Sequence, residues 1–168
     1  TLTIDVIATG TLLAPLDVGP IAHGGHCVAR LEGLVVFVRH TAPGERVVAR
    51  VTEVSRTFIR ADAVEILDAH PGRVRPPCPV AGICGGCDFQ HISPVTQRQL
   101  KADVVADQFR RLAGIEVEVT VEAVRPLVGW RTRMRYRVED GVAGLRGYRS
   151  DDLVALPEGG CRIAAPGL

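Results

Sequence analysis

The sequence predicts an α+β chain that is mainly β: a small barrel first, then a small domain with an antiparallel sheet and one longer helix. Three observations carry this. Short alternating apolar segments joined by Gly-containing turns fill roughly the first 65 residues. One later segment has helical periodicity between clear start and stop signals. The Pro-rich stretch HPGRVRPPCP, His70 to Pro79, separates the two regions and sets a boundary between residues 1–69 and 70–168. At 168 residues the chain has room for two small domains. With 46% apolar and 23% charged residues it is not a disordered polymer.

In order along the chain, Leu34-Val35-Val36-Phe37-Val38 is a short apolar strand and Pro43-Gly44-Glu45 a turn. Val47, Ala49 and Val51 then alternate with Val48, Arg50 and Thr52 in a half-buried strand. Next, Ile59, Ala61 and Ala63 give way to Val64 and Ile66, a slip of phase that a bulge or barrel corner explains. Ser93 before Pro94 is a helix start, N-cap then N1, and Ala113-Gly114 a stop, which predicts a helix over about 94–113. Leu100, Val104, Val105, Phe109 and Leu112 form its apolar face. Trp130 to Val138 alternates strictly, which predicts a strand with Arg131, Arg133, Arg135 and Arg137 on one face and Trp130, Thr132, Met134, Tyr136 and Val138 against the core. The turn Glu139-Asp140-Gly141 and strands near 142–148 and 153–156 follow.

The net charge of +1 hides an uneven distribution. Residues 1–80 carry eight Arg against eight acidic groups, whereas residues 125–149 carry seven Arg against Glu139 and Asp140. Four like charges on one strand face repel, and an anionic partner relieves that repulsion; acidic neighbours on adjacent strands are the alternative. The longest strongly apolar run, Leu34 to Val38, is far below the roughly 20 residues of a membrane span, so no membrane partner is expected. With neither a basic segment nor a Met at Thr1, no secretory leader is read and the expected compartment is the cytoplasm.

Five cysteines are present: Cys27, Cys78, Cys84, Cys87 and Cys161. Three lie in CPVAGICGGC, whose glycines let the backbone wrap tightly and aim N–H groups at sulfur. A fourth ligand has to come from afar, and Cys161, after Gly159-Gly160, is the candidate. An odd cysteine count without a leader argues against a disulfide framework. Zinc with four Cys usually takes two C-x2-C knuckles, and only one is present. A [4Fe–4S] cluster accepts three clustered cysteines and one remote. Cys27, in a strand-like stretch, reads as a small buried hydrophobe. His23, His26 and His91 read as ordinary histidines rather than ligands.

On these residues the sequence resembles the TRAM-domain, iron–sulfur RNA uridine-5-methyltransferases. HGGHCVARLEGLVVFVRHTAPGERVVARV is similar to the TRAM signature, RVRPPCPVAGICGGCDFQHISPVTQRQLK to the segment holding three cluster ligands, and WRTRMRYRV with GGCRIA to the basic strand and fourth ligand. The resemblance implies that the barrel is OB-like and five-stranded and that Cys78, Cys84, Cys87 and Cys161 hold a [4Fe–4S] cluster. It also implies that the complete enzyme uses S-adenosylmethionine to methylate uracil C5 in ribosomal or transfer RNA.

In that family a C-terminal Rossmann-like domain binds the methyl donor and carries the nucleophilic cysteine and the base. No residue before Leu168 matches these, so that domain is expected to be a missing partner, no catalytic residue is named, and the chain alone is expected to be inactive. Candidate RNA contacts are Arg131, Arg133, Arg135 and Arg137, with Arg30 and Arg50 on the barrel; Arg39, Arg46, Arg56 and Arg60 are further possibilities. Phe37, Phe58 and Phe89 are possible base-stacking groups, although Phe37 sits in an apolar run that suits core packing. A stand-alone iron–sulfur redox module or a zinc-stapled nucleic-acid-binding module is the alternative.

Overall fold

The computed structural model describes residues 7–124 and 126–167. It divides into two compact units, Thr1–Val74 with His91–Val121, and Arg75–Gln90 with Glu122–Leu168.

The first unit is built on five strands: β1 (Leu12–Asp17), β2 (Cys27–Leu31), β3 (Leu34–Arg39), β4 (Arg46–Val54) and β5 (Phe58–Asp68). They lie in the order β1-β4-β5-β3-β2, with β3 and β5 parallel and the other neighbours antiparallel. The sheet closes on itself. Just after β1, the Gly19 N–H donates to the Val28 carbonyl of β2 (2.7 Å), and the Val28 N–H to the Pro20 carbonyl (3.0 Å). A Cβ on Gly19 would lie 2.9 Å from that carbonyl oxygen, so the closure excludes a side chain there. The result is the five-stranded OB-like barrel that the resemblance implies.

Period-2 alternation fills the barrel. Val36, Val38, Val47, Ala49, Val51, Ile59 and Ala61 are all at most 1% exposed. The phase slip in β5 is a bulge: Val48 faces Glu65 while Ala49 faces Ala63, which leaves Val64 out of register. Glu32 and Gly33, both at positive φ, make the two-residue turn that pairs Leu31 with Leu34.

A buried carboxylate ties this unit together. The side chain of Glu45 has no exposed surface and accepts from the N–H groups of Ala42 (2.9 Å) and His70 (3.0 Å) and from Nε and Nη2 of Arg73 (2.6 Å each). Arg73 Nη2 also donates to the His40 carbonyl (2.8 Å). Arg73 bridges Ile92 in antiparallel fashion, and the helix α1 (Pro94–Ala113) starts directly beyond. Its caps are those expected: the Ser93 hydroxyl accepts from the Thr96 N–H, and Gly114 adopts the left-handed conformation at φ 68°.

The helix falls in the packing unit of the barrel, whereas the Pro-rich stretch groups it with residues 70–168: His91 and Ile92 are buried, and Arg73 ties this segment back to Glu45. The apolar face of the helix is only partly covered. Leu100 and Ala102 are buried, whereas Phe109 and Leu112 are 46% and 81% exposed.

The second unit holds a three-stranded antiparallel sheet, β6 (Arg137–Glu139), β7 (Val142–Arg146) and β8 (Leu153–Ala155). Asp140-Gly141, both at positive φ, turn β6 into β7 as expected. The strand predicted over Trp130 to Val138 does not form as one element. Arg131 pairs in parallel with Ala164, only Arg137–Glu139 pairs with β7, and residues 132–136 between them belong to no strand. Alternation along the sequence does not say whether a neighbouring strand is there to pair with, so a period-2 pattern is blind to the break. Trp130 and Val138, expected inside, are 53% and 65% exposed. Among the described residues no helix is long and apolar enough to cross a membrane.

These buried groups set the acid response. Burial pushes the Glu45 carboxyl up, but the Arg73 guanidinium and the N–H groups of His70 and Ala42 outweigh it and hold the group below its usual range. Such a group stabilises the fold above its unfolded pKa and loses that contribution as pH falls through the folded value. Burial pushes the His91 imidazole down from 6.5 to about 4, opposed by its contact with the Thr41 carbonyl. The unfolded chain therefore takes up a proton near pH 6.5 that the folded chain refuses until about 4, and stability falls with pH across that window. Urea titrations followed by far-UV circular dichroism should show this decline, flattened between 6.5 and 4 in His91→Gln. At neutral pH, Arg73→Met, which strands the buried carboxylate, should cost about 3–5 kcal/mol by the same measurement.

Candidate functional site

Cys78, Cys84, Cys87 and Cys161 line one cavity of the second unit, among Val80, Ala81, Leu145, Val154, Leu156 and Ile163. Tight turns build its wall: the Ala81 N–H bonds the Cys78 carbonyl, and the N–H groups of Ile83 and Cys84 bond the Val80 carbonyl. The glycines after Cys84 then fix the loop. Gly85 donates its N–H to the Arg146 carbonyl (3.0 Å), and the Gly86 N–H points at Cys84 Sγ (3.4 Å). A Cβ on Gly85 would press within 3.0 Å of the Gly147 carbonyl oxygen, so the loop sits close against the turn after β7 only because Gly85 has no side chain. The Cys78 N–H is held by the Gln90 side chain (3.1 Å).

The thiols sense one another. Burial pushes the Cys87 thiol up, a hydrogen bond from Gln90 opposes this, and the negative charge of Cys161, Cys84 and Cys78 raises it further. No Asp, Glu or His lines the cavity, so the donor set is purely soft sulfur. Among the described residues no three Cys, His, Asp or Glu side chains converge as they would on a single ion. The four cysteines are thus gathered round one apolar space without meeting at a point. Cys27 takes no part: fully buried in the barrel, its Sγ contacts the Thr41 carbonyl (3.5 Å), and burial pushes its thiol up to about 11. His91 is likewise a buried histidine against the Thr41 carbonyl (3.3 Å).

An open groove of about 730 Å³ lies beside the cavity, lined by Arg131, Arg135, Arg137 and Arg146 with Met134, Tyr136 and the Gly85-Gly86 loop. Gly86, Leu145 and Ile163 belong to both linings, so groove and cavity share a wall. Three of the four expected arginines therefore meet there, although not on a continuous strand. Arg133 is exposed but lies outside the groove lining. Arg146, counted in the basic stretch 125–149 but not named there as a contact, joins from β7. Arg137 is paired with Glu139, and Arg146 with Asp151 (2.5 Å), so the groove carries both cations and counter-ions.

On the barrel, Arg30 and Arg50 are exposed on β2 and β4. Arg39 is instead buried in a two-pronged pair with Asp62 (3.0 Å for each prong). Arg60 contacts Glu53 (3.3 Å).

Residues 15–64 match the TRAM domain family. A Streptomyces avermitilis protein named as an uncharacterized RNA methyltransferase is 51% identical over 91% of this chain and 39% of its own length. A Photorhabdus laumondii protein named 23S rRNA (uracil(1939)-C(5))-methyltransferase RlmD is 38% identical over 86% of this chain and 34% of its own. The crystal structure of Pyrococcus abyssi tRNA (uracil-54, C5)-methyltransferase in complex with S-adenosyl-L-homocysteine matches in fold, with a TM-score of 0.54 and 24% identity over 89% of this chain and 33% of that one. The chain thus spans between a third and two fifths of the length of these proteins, and the resemblance to TRAM-containing RNA methyltransferases holds across most of it.

Proposed function

We propose that this chain is the RNA-recognition and [4Fe–4S]-bearing portion of an RNA 5-methyluridine methyltransferase. In the complete enzyme, S-adenosylmethionine would supply the methyl group to uracil C5 of ribosomal or transfer RNA, and the expected compartment is the cytoplasm. The observation that carries the proposal is the shared wall between a four-thiol cavity and an arginine-lined groove. The relatives named above supply the reaction class.

Cys78, Cys84, Cys87 and Cys161 would hold the cluster. Four cysteines lining one cavity that has no Asp, Glu or His offer the all-thiolate donor set that such a cluster takes. When bound, such a cluster has no open iron site and supplies a cross-link rather than acid–base chemistry. Here it would join the loop after Pro77 to the segment around Cys161. The arginines of the groove would hold RNA phosphates, and the TRAM barrel would add contacts at Arg30 and Arg50. The ion pairs of Arg137 and Arg146 do not oppose this, because exposed pairs are worth about 0–1 kcal/mol and a phosphate can displace the carboxylate.

Two measurements test the proposal. Arg131→Gln with Arg135→Gln should weaken binding of unmodified single-stranded RNA and lower the slope of log K against log salt by about 0.7 for each phosphate that the variant leaves unneutralised. An unchanged slope would assign these arginines to pairing within the protein. Cys161→Ser should strip iron from anaerobically purified protein and lower Tm by at least about 5 °C, while retained iron and an unchanged Tm would remove Cys161 from the ligand set.

A further inference from the structure

The outer face of the barrel carries an aromatic feature that the groove does not use. Val36, Val38, Ile59 and Ala61 point into the core, so their neighbours Phe37, Phe58 and Arg60 point outward, where all three are half-buried. Register brings them together: Phe37 lies opposite Arg60, and Val35 opposite Phe58, across the parallel pair β3 and β5. The rings meet edge to face with centroids 5.6 Å apart and planes at 73°. The Arg60 guanidinium carbon sits 5.5 Å from the Phe37 centroid and 5.2 Å from that of Phe58. On the other side of β3, Val28 and Arg30 of β2 pair with Phe37 and Val35, so Arg30 shares this outer face.

We propose that Phe37, Phe58 and Arg60 form a stacking platform for an unpaired nucleobase of single-stranded RNA, with Arg30 beside it for the adjoining phosphate. The inference rests on the RNA reading above and adds a base-contacting site on the barrel. Burying an aromatic pair would put both rings in the core; here alternation holds them out of it. The planar guanidinium leaves a cation next to the stacking faces, and Glu53 (3.3 Å) orients it from β4. An outward-facing aromatic ring fringed by cations matches a base and its phosphate, because a base's π-face stacks without regard to sequence. The face of an OB-like barrel around its second and third strands is also where oligonucleotides dock in this architecture.

The test compares binding of a short single-stranded RNA with that of an abasic strand of equal length and charge, using the full chain and its Phe37→Leu and Phe58→Leu variants. The wild type should prefer the intact strand by about tenfold or more, and each variant should lose most of that preference while keeping its salt dependence. Equal affinity for the two strands, or a preference unchanged in both variants, would overturn the platform while leaving phosphate recognition in place. Failure of both strands to bind the wild type would overturn the RNA reading and the platform with it. Far-UV circular dichroism checks folding. Should a variant not fold, 2-aminopurine in the intact strand reports on the wild type alone: stacking quenches its fluorescence on binding, and an unquenched complex would overturn the proposal.

Discussion

The buried ion pair of Glu45 and Arg73 ties the barrel to the segment that returns to it at His91 and Ile92. One carboxylate with no exposed surface gathers the turn between β3 and β4 through Ala42, the end of β5 through His70, and the returning chain through Arg73. Arg73 passes the constraint on, to the His40 carbonyl and, through its bridge to Ile92, to the start of the helix. A buried pair of this kind is seldom more stabilising than apolar packing of the same volume; what it provides is a unique arrangement. In this chain it decides that the helix stays with the barrel even though sixteen residues, Arg75–Gln90, leave for the second unit and come back.

Local rules make much of the fold legible. Alternation locates the barrel strands, Asp140-Gly141 a hairpin turn, and Ser93-Pro94 and Gly114 the ends of the helix, because each depends on backbone geometry within a few residues. The slip at Val64 is visible for the same reason. What local rules do not show is pairing at a distance. Nothing near Arg131 says that its partner is Ala164, and nothing near Glu45 says that its counter-ion lies 28 residues on. Phe37 suits the core by sequence yet points outward for a different reason: Leu34 to Val38 is apolar throughout, so the run conceals which side each residue takes until Val36 and Val38 are seen to fill the barrel.

The candidate site follows the same division. Glycines beside Cys84 and Cys161 mark the sulfur loops in the sequence, and all four thiols line one cavity. The groove has no sequence signature, since it combines a segment outside any strand with Arg146 of β7 and the glycine loop. Its wall is the thiol cavity's wall. A rigid cross-link behind Gly86, Leu145 and Ile163 would hold the arginines in fixed relation, and would give the proposed cluster a structural part in the proposed RNA recognition without any redox step.

That connection depends on the identity of the group the thiols hold, and one measurement addresses it most directly. Iron, acid-labile sulfide and zinc are quantified per chain after purification without oxygen, alongside the absorbance near 400 nm. About four irons and four sulfides per chain with negligible zinc are expected. One zinc per chain without sulfide, or a folded chain carrying no metal, would contradict the proposed cluster.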